Sequence, residues 1–140
     1  MKSIEILLVE DNEGDILLTT EALKSCKLDS KLKVVNDGEE ALEFIYKNGK
    51  YSNEITPDII LLDVNLPKKN GHEVLQKIKS NVLYKHIPII MLTTSSSSVD
   101  IKRAYANYVN CYITKPVEPQ DFIDAVSEIE SFWLNLVELP

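Results

Sequence analysis

The 140-residue chain has few cysteines, no long apolar run and no excess of positive charge. Cys26 and Cys111 lack the CxxC spacing of zinc or redox sites and are too few for a disulfide framework, so we expect two reduced thiols in a cytoplasmic protein. No stretch approaches the ~18 consecutive apolar residues of a membrane span. The amino terminus does not resemble a signal peptide either, because Glu5 interrupts its short apolar run.

The charge of the chain also disfavours a class of function. It carries 22 acidic and 15 basic residues, for a net charge of −7. Direct binding of nucleic acid requires a basic face, which this balance disfavours. The length fits one domain around one core, and we predict that residues 1–140 form a single domain.

Short apolar runs alternate with helical patterns along the chain. Continuous apolar runs bounded by polar residues are typical of buried parallel strands. The predicted strands are residues 4–9, 32–35, 59–62, 87–92 and 111–114, and the predicted helices are 15–25, one after 38, one after 70, 99–108 and one from about 119. This alternation predicts a doubly wound α/β fold, with right-handed crossovers and a five-stranded parallel sheet.

Polar residues with related chemistry follow four of the predicted strands. These are Glu10 and Asp11 after the first, Asp63 after the third, Thr93 after the fourth and Lys115 after the fifth. Parallel strands end at one edge of the sheet, where ligands bind in such folds. At ~5 Å and an effective dielectric constant of ~20, each pair of carboxylates there costs roughly 3 kcal/mol.

A divalent cation would relieve that repulsion. Hard oxygen ligands suit Mg²⁺, which also coordinates phosphate oxygens. A lysine and a hydroxyl suit a phosphoryl group, and a carboxylate can accept one as a nucleophile. The set therefore predicts an aspartyl-phosphate site.

The order and spacing of these residues resemble the receiver domain of bacterial two-component response regulators. The resemblance is carried by Glu10-Asp11, Asp63-x-x-x-Pro67, Thr93 and Lys115-Pro116, and it covers nearly the whole chain. It implies the (βα)5 flavodoxin-like receiver fold. Three segments are further similar to single-domain regulators paired with bacterial phytochrome kinases, namely residues 61–71, 109–115 and 130–134.

The resemblance assigns roles at the acidic edge. Asp63 would be the phosphoacceptor, and Lys115 would pair with it and then with the phosphoryl oxygens. Asp11, Asp63 and the main-chain carbonyl of Asn65 would bind Mg²⁺, with Glu10 acting through water.

The resemblance also implies a switch. Thr93 would move to hydrogen-bond the phosphoryl group, and the Tyr112 ring would follow it. The peptide bond before Pro116 would be cis, a form affordable only before proline. Asn65 and Ser95 would tune dephosphorylation.

Some of these roles have plain alternatives. Thr94 could supply the working hydroxyl in place of Thr93, although Thr93 directly follows the buried run. Tyr112 could serve packing alone. We expect His72 and His86 to be surface residues rather than metal ligands or phosphohistidines.

The expected function is a stand-alone signalling switch. It would accept a phosphoryl group from a sensor histidine kinase, for which the resemblance suggests the phytochrome type, and signal by protein–protein contact. It would not be an enzyme acting on an external metabolite.

Three other functions compete with this one. A phosphatase of the haloacid dehalogenase type needs an acid two residues after its nucleophile, where this chain has Asn65. A flavodoxin needs a phosphate-binding loop, but the acidic segment 10–15 would repel the phosphate of FMN. A receiver that is never phosphorylated, and only docks, is the third.

The carboxyl-terminal region is more apolar than a helix on one sheet face requires. Its apolar residues are Ile129, Phe132, Trp133, Leu134, Leu136, Val137 and Leu139. A packed helix needs an apolar stripe of about 100°, and the excess predicts an interface. We expect a homodimer through residues 119–140, centred on Phe132, Trp133 and Leu134. The alternative is that residues 134–140 fold back over their own domain.

Overall fold

The computed structural model describes residues 3–24 and 29–140, apart from the side chains of residues 134–136. Cys26, which is predicted to be a reduced thiol, lies outside these residues, whereas Cys111 is a free thiol. The strands are β1 (Ile4–Val9), β2 (Ser30–Val35), β3 (Ile59–Leu62), β4 (Ile89–Thr93) and β5 (Cys111–Thr114). The α-helices are α1 (Glu13–Lys24), α2 (Gly38–Tyr46), α3 (Gly71–Lys79), α4 (Ser98–Ala106) and α5 (Pro119–Ile129). A 3₁₀ turn covers Gly49–Tyr51, and a π-helix, Glu130–Leu136, continues α5.

The five strands form one parallel sheet in the order β2-β1-β3-β4-β5. The predicted fold class is therefore confirmed. All residues of β3 and β4 are buried, which explains why their sequences are continuously apolar. Because β1, β3 and β4 are neighbours, the residues that follow them meet at one edge of the sheet.

The sheet separates two apolar cores. Alternate residues of a strand face opposite sides, so Leu7 and Val9 of β1 enter one core and Ile6 and Leu8 the other. Helices α2 and α3 pack beside each other over the first core, and α1 and α5 over the second. None of the helices in the described part of the chain has the length and apolar character needed to cross a bilayer.

The element boundaries differ from the predicted ones by a few residues at helix and strand ends. Helix α4 begins at Ser98 because the Ser97 side chain caps it by accepting from the Asp100 N–H. Strand β4 reaches Thr93, which pairs with Thr114 of β5 and so lies within the sheet.

The carboxyl-terminal tail returns toward the start of β1. Leu139 packs against the core on the α1 and α5 side. Together with Val137, Glu138 and Pro140 it lines an open cavity of about 260 Å³ beside Ile4. The end of the tail thus agrees with the alternative prediction, in which the tail folds back over its own domain.

Candidate functional site

One buried lysine gathers three carboxylates at the carboxyl edge of the sheet. The Nζ of Lys115 donates to Asp63 Oδ2 at 3.0 Å, to Asp15 Oδ2 at 2.8 Å, and to Glu10 Oε1. The side chains of Lys115 and Glu10 are each 3% exposed. Asp15, which is not among the predicted site residues, lies in the first turn of α1 and turns its carboxylate toward the end of β5.

Burial sets the protonation of this cluster. It raises the pKa of Glu10 to about 7; the hydrogen bond from Lys115 opposes that rise and the charge of Asp63 adds to it. Burial alone would lower the pKa of Lys115, but its hydrogen bonds to Asp15 and Glu10 outweigh that effect and raise it above the usual value. Lys115 is therefore a permanent cation at the site.

The acidic residues fit a divalent metal ion. Glu10, Asp11 and Asp63 each offer a carboxylate oxygen, and these oxygens lie within 4.8 Å of one another. Asp11 is exposed, whereas the other two are buried. The single ammonium of Lys115 does not neutralise so many carboxylates, and a hard cation with oxygen ligands would. The N–H of Asn65 lies 3.4 Å from Asp63 Oδ1. Asn65, whose main-chain carbonyl is a predicted metal ligand, therefore lies beside these carboxylates.

The loop after Asp63 is fixed to the start of α3 by close backbone packing. A Cβ on Gly71 would lie 2.1 Å from the Asp63 carbonyl oxygen, so only glycine allows this approach. The Gly71 N–H also donates to the Val64 carbonyl at 2.8 Å. The side chain of Asn70 caps α3. These contacts hold the wall of the site next to Asp63.

The predicted hydroxyl switch lies on the neighbouring strand. Thr93 is fully buried at the end of β4, whereas Thr94 is exposed, which favours Thr93 as the working hydroxyl. Thr93 Oγ1 accepts from the Ser95 N–H at 3.3 Å. The Tyr112 hydroxyl donates to the Ser95 carbonyl at 2.8 Å, and its ring packs against the core. Tyr112 thus both packs and contacts the loop that follows Thr93.

Two predictions are wrong. His72 is not a surface residue: it is 2% exposed, and its Nε2 lies 3.0 Å from Asp100 Oδ1, because α4 covers this side of α3. The peptide bond before Pro116 is trans rather than cis. Trans is the more stable form by about 0.5–1 kcal/mol, and Lys115 reaches its carboxylates without the cis form.

The predicted interface residues Phe132, Trp133 and Leu134 lie in the π-helix that follows α5. Phe132 is 52% exposed, and its ring meets that of Trp133 edge-on at 5.8 Å between centroids. Both rings line an open groove of about 440 Å³, together with Cys111 and Ile113 of the edge strand β5. The side chain of Leu134 lies outside the described residues.

Comparison with known proteins identifies the class to which this fold and site belong. Residues 6–127 match the response regulator receiver domain, and the chain belongs to that family. It is therefore a signalling protein of two-component systems, and the predicted family is confirmed.

Individual relatives match over nearly their whole length. The response regulator Rcp1 from Synechocystis sp. is 47% identical over 135 residues, which are 96% of this chain and 92% of that protein. The crystal structure of its Mn²⁺-bound form has a TM-score of 0.96 at 46% identity, covering 98% of this chain and 99% of that one. The phosphorylated cyanobacterial phytochrome response regulator RcpA has a TM-score of 0.97 at 45% identity, covering 99% of both. These matches do not favour the phosphatase, flavodoxin or docking-only alternatives.

Proposed function

We propose that residues 1–140 act as a single receiver domain that takes a phosphoryl group from a histidine kinase onto Asp63. The observation that carries this proposal is the 3.0 Å contact between Asp63 Oδ2 and the buried ammonium of Lys115, beside two further carboxylates. An Asp63 oxygen would attack the phosphorus of the donor phosphohistidine. The P–N bond would break as the P–O bond forms, and the leaving imidazole would keep the N–P electron pair.

Lys115 has the position and charge to stabilise the transferred group. Its three acceptors are all carboxylates, so it can exchange one of them for a phosphoryl oxygen without losing its charged partners. Preorganised cations of this kind lower the barrier to phosphoryl transfer.

We assign a Mg²⁺ site to Asp11, Asp63 and the main-chain carbonyl of Asn65, with Glu10 acting through water. The cluster of carboxylate oxygens within 4.8 Å supports this assignment. So does the Mn²⁺-bound form of Rcp1. When bound, the metal would supply positive charge to the oxygens of the phosphoryl group.

The switch would use Thr93 and Tyr112. After phosphorylation the Thr93 hydroxyl would turn toward the phosphoryl group, and the Tyr112 ring would follow into the vacated space. Asn65 lies two residues after Asp63, and Ser95 lies two residues after Thr93. Both would tune the lifetime of the phosphoryl group. We also propose that the protein does not catalyse a reaction of an external metabolite.

We further propose that the kinase is of the phytochrome type and that the protein works in the cytoplasm. The first proposal is supported by the likeness to RcpA, a phytochrome response regulator. The second is supported by the low cysteine content of the chain, which suits a reducing compartment.

The protein would signal by contact with other proteins, and it would form a homodimer through residues 119–140. The half-exposed ring of Phe132 and the apolar groove it shares with Trp133 support this interface. The tail beyond the π-helix folds onto its own domain, so the dimer contact would centre on Phe132 and Trp133.

Incubation with acetyl phosphate and Mg²⁺ tests the central proposal. Intact mass should show one added phosphoryl group that hydroxylamine removes. Asp63→Asn should abolish the addition, whereas Asp58→Asn, at the opposite end of β3, should retain it. Equal modification of Asp63→Asn and the unaltered chain would disprove the assignment.

A further inference from the structure

A chain of hydrogen bonds outside the acidic site connects Thr93 to helix α3. Thr93 Oγ1 accepts from the Ser95 N–H at 3.3 Å. The Ser95 Oγ donates to Asp100 Oδ2 at 2.5 Å, and the other oxygen of Asp100 lies 3.0 Å from His72 Nε2. One carboxylate at the start of α4 thus bridges the loop after β4 to the first turn of α3.

The bridge is important to the buried imidazole of His72. An ionised carboxylate only accepts hydrogen bonds, so the Nε2 atom that faces Asp100 carries the proton. Hydrogen bonds from Ser95 and then His72 lower the pKa of Asp100, which keeps its carboxylate ionised. Among the described residues the other ring nitrogen of His72 is buried without a hydrogen-bond partner. Asp100 therefore supplies the polar contact that compensates the burial of this ring.

The two sides of the bridge differ in how firmly they are held. His72 follows Gly71, whose backbone packs directly against the Asp63 carbonyl, so this end is fixed beside the proposed phosphoacceptor. Helix α4 has Ala104 as its one fully buried residue. Apolar packing therefore holds α4 weakly, and at its amino-terminal end Asp100 adds polar contacts to the β4–α4 loop and to α3.

The backbone N–H, the hydroxyl and the carbonyl of Ser95 each take part in a hydrogen bond. Its N–H contacts Thr93, its Oγ contacts Asp100, and its carbonyl accepts from the Tyr112 hydroxyl. A movement of the Thr93 hydroxyl toward Asp63 cannot leave these contacts unchanged, because the Thr93 side chain is one of the Ser95 partners.

Building on the proposed phosphorylation of Asp63, we propose that His72 and Asp100 are positioning residues that hold the Thr93–Ser95 loop and the start of α4 in the resting arrangement. They act through Ser95 and do not touch the phosphoryl group. By drawing the Thr93 hydroxyl away from the Ser95 N–H, phosphorylation disturbs the loop end of this bridge, so the strength of the bridge influences how strongly the resting state is favoured. A ligand shifts such an equilibrium only by its differential affinity for the two states.

The test compares Ser95→Ala and Asp100→Ala with a matched control, Asp121→Ala. Asp121 lies exposed in the first turn of α5, so its loss removes the same charge at the same helical position without touching the loop. In the metal-free protein, amides of α4 should exchange with deuterium faster in the two test variants and at the unaltered rate in the control.

The second measurement uses beryllofluoride with Mg²⁺ as a mimic of the phosphoryl group, followed by calorimetric titration. Loss of the bridge should tighten binding by about threefold or more, because the resting state is no longer held. His72→Gln retains a side-chain N–H donor and should weaken the bridge less than His72→Leu. If the leucine variant fails to fold, the Ser95 and Asp100 variants still decide the result.

Unchanged exchange in both test variants would overturn the proposal. So would faster exchange with unchanged beryllofluoride affinity, since that result would show a structural contact without influence on the switch. If the unaltered protein bound no beryllofluoride, the proposed phosphorylation would fail instead, and amide exchange alone would judge whether the bridge restrains α4.

Discussion

The Nζ of Lys115 lies 2.8 Å from Asp15 Oδ2, a contact that ties the end of β5 to the first turn of α1. Asp15 is the most exposed of the three carboxylates on this lysine, with 24% of its side chain accessible. Because Asp15 and Asp63 bind the same ammonium group, the charge of Asp15 lies close to the proposed phosphoacceptor.

We therefore predict that Asp15→Asn accelerates phosphorylation by acetyl phosphate. Removing one negative charge at roughly 7 Å in a water-like dielectric lowers the repulsion by about 0.6 kcal/mol, or about threefold in rate. Glu13→Gln, an exposed change in the same helical turn, is the control and should have a smaller effect. The initial rate of mass increase measures both. A slower reaction in Asp15→Asn would show that Asp15 assists the transfer instead.

Mg²⁺ should stabilise the fold, because it relieves the repulsion among Glu10, Asp11 and Asp63. At a hundredfold excess over the dissociation constant, the linkage is worth about 2.7 kcal/mol. Asp11→Ala should lose this increment, and its metal-free form should melt at or above the temperature of the unaltered chain, since a repelling charge is gone. Thermal unfolding with and without Mg²⁺ provides the measurement. Equal Mg²⁺-induced shifts in both proteins would refute the ligand role of Asp11.

Thr93 and Tyr112 should respond to phosphorylation together. Ser95 contacts both of them, through its N–H and its carbonyl respectively. Thr93→Ala should still accept a phosphoryl group at Asp63, but the chemical-shift changes around Tyr112 should be largely lost. Thr93→Ser keeps the hydroxyl and should retain them. Identical NMR responses in the alanine variant and the unaltered protein would refute the coupling.

Much of the acidic edge could be predicted from the sequence because it depends on strand order alone. Four predicted strands place Glu10, Asp63, Thr93 and Lys115 at one end of a parallel sheet, whatever the side-chain details. The role of Asp15 could not be predicted in this way. Its position depends on how α1 packs across the sheet, which a helical pattern does not specify.

The error at His72 has a similar origin. A polar residue in the first turn of a helix is usually solvated. Here α4 crosses that turn and supplies Asp100 as a partner 28 residues away. No local pattern encodes such a pairing, because it depends on the angle between two helices. The residue types did offer one hint, in that an ionisable ring and a carboxylate occur in the first turns of consecutive helices.

The dimer prediction concerns the rings of Phe132 and Trp133. Their edge-on pair lines the groove beside β5, and Phe132 is half exposed. Phe132→Ala together with Trp133→Ala should give a folded monomer, since aromatic anchors dominate interfaces of this kind. Val82→Ala, a change at an exposed apolar residue that does not line the groove, should leave the dimer intact.

Sedimentation across a concentration series measures this dimer. The unaltered chain and Val82→Ala should show a mass that rises with concentration, and the double variant should not. Trp133 is the sole tryptophan, so its emission should shift to the red when the unaltered protein is diluted. The tail from Val137 to Pro140 folds against its own domain near Ile4, so removing Leu139 should affect thermal stability more than association. A monomer at high micromolar concentration, with and without phosphorylation, would exclude the proposed interface.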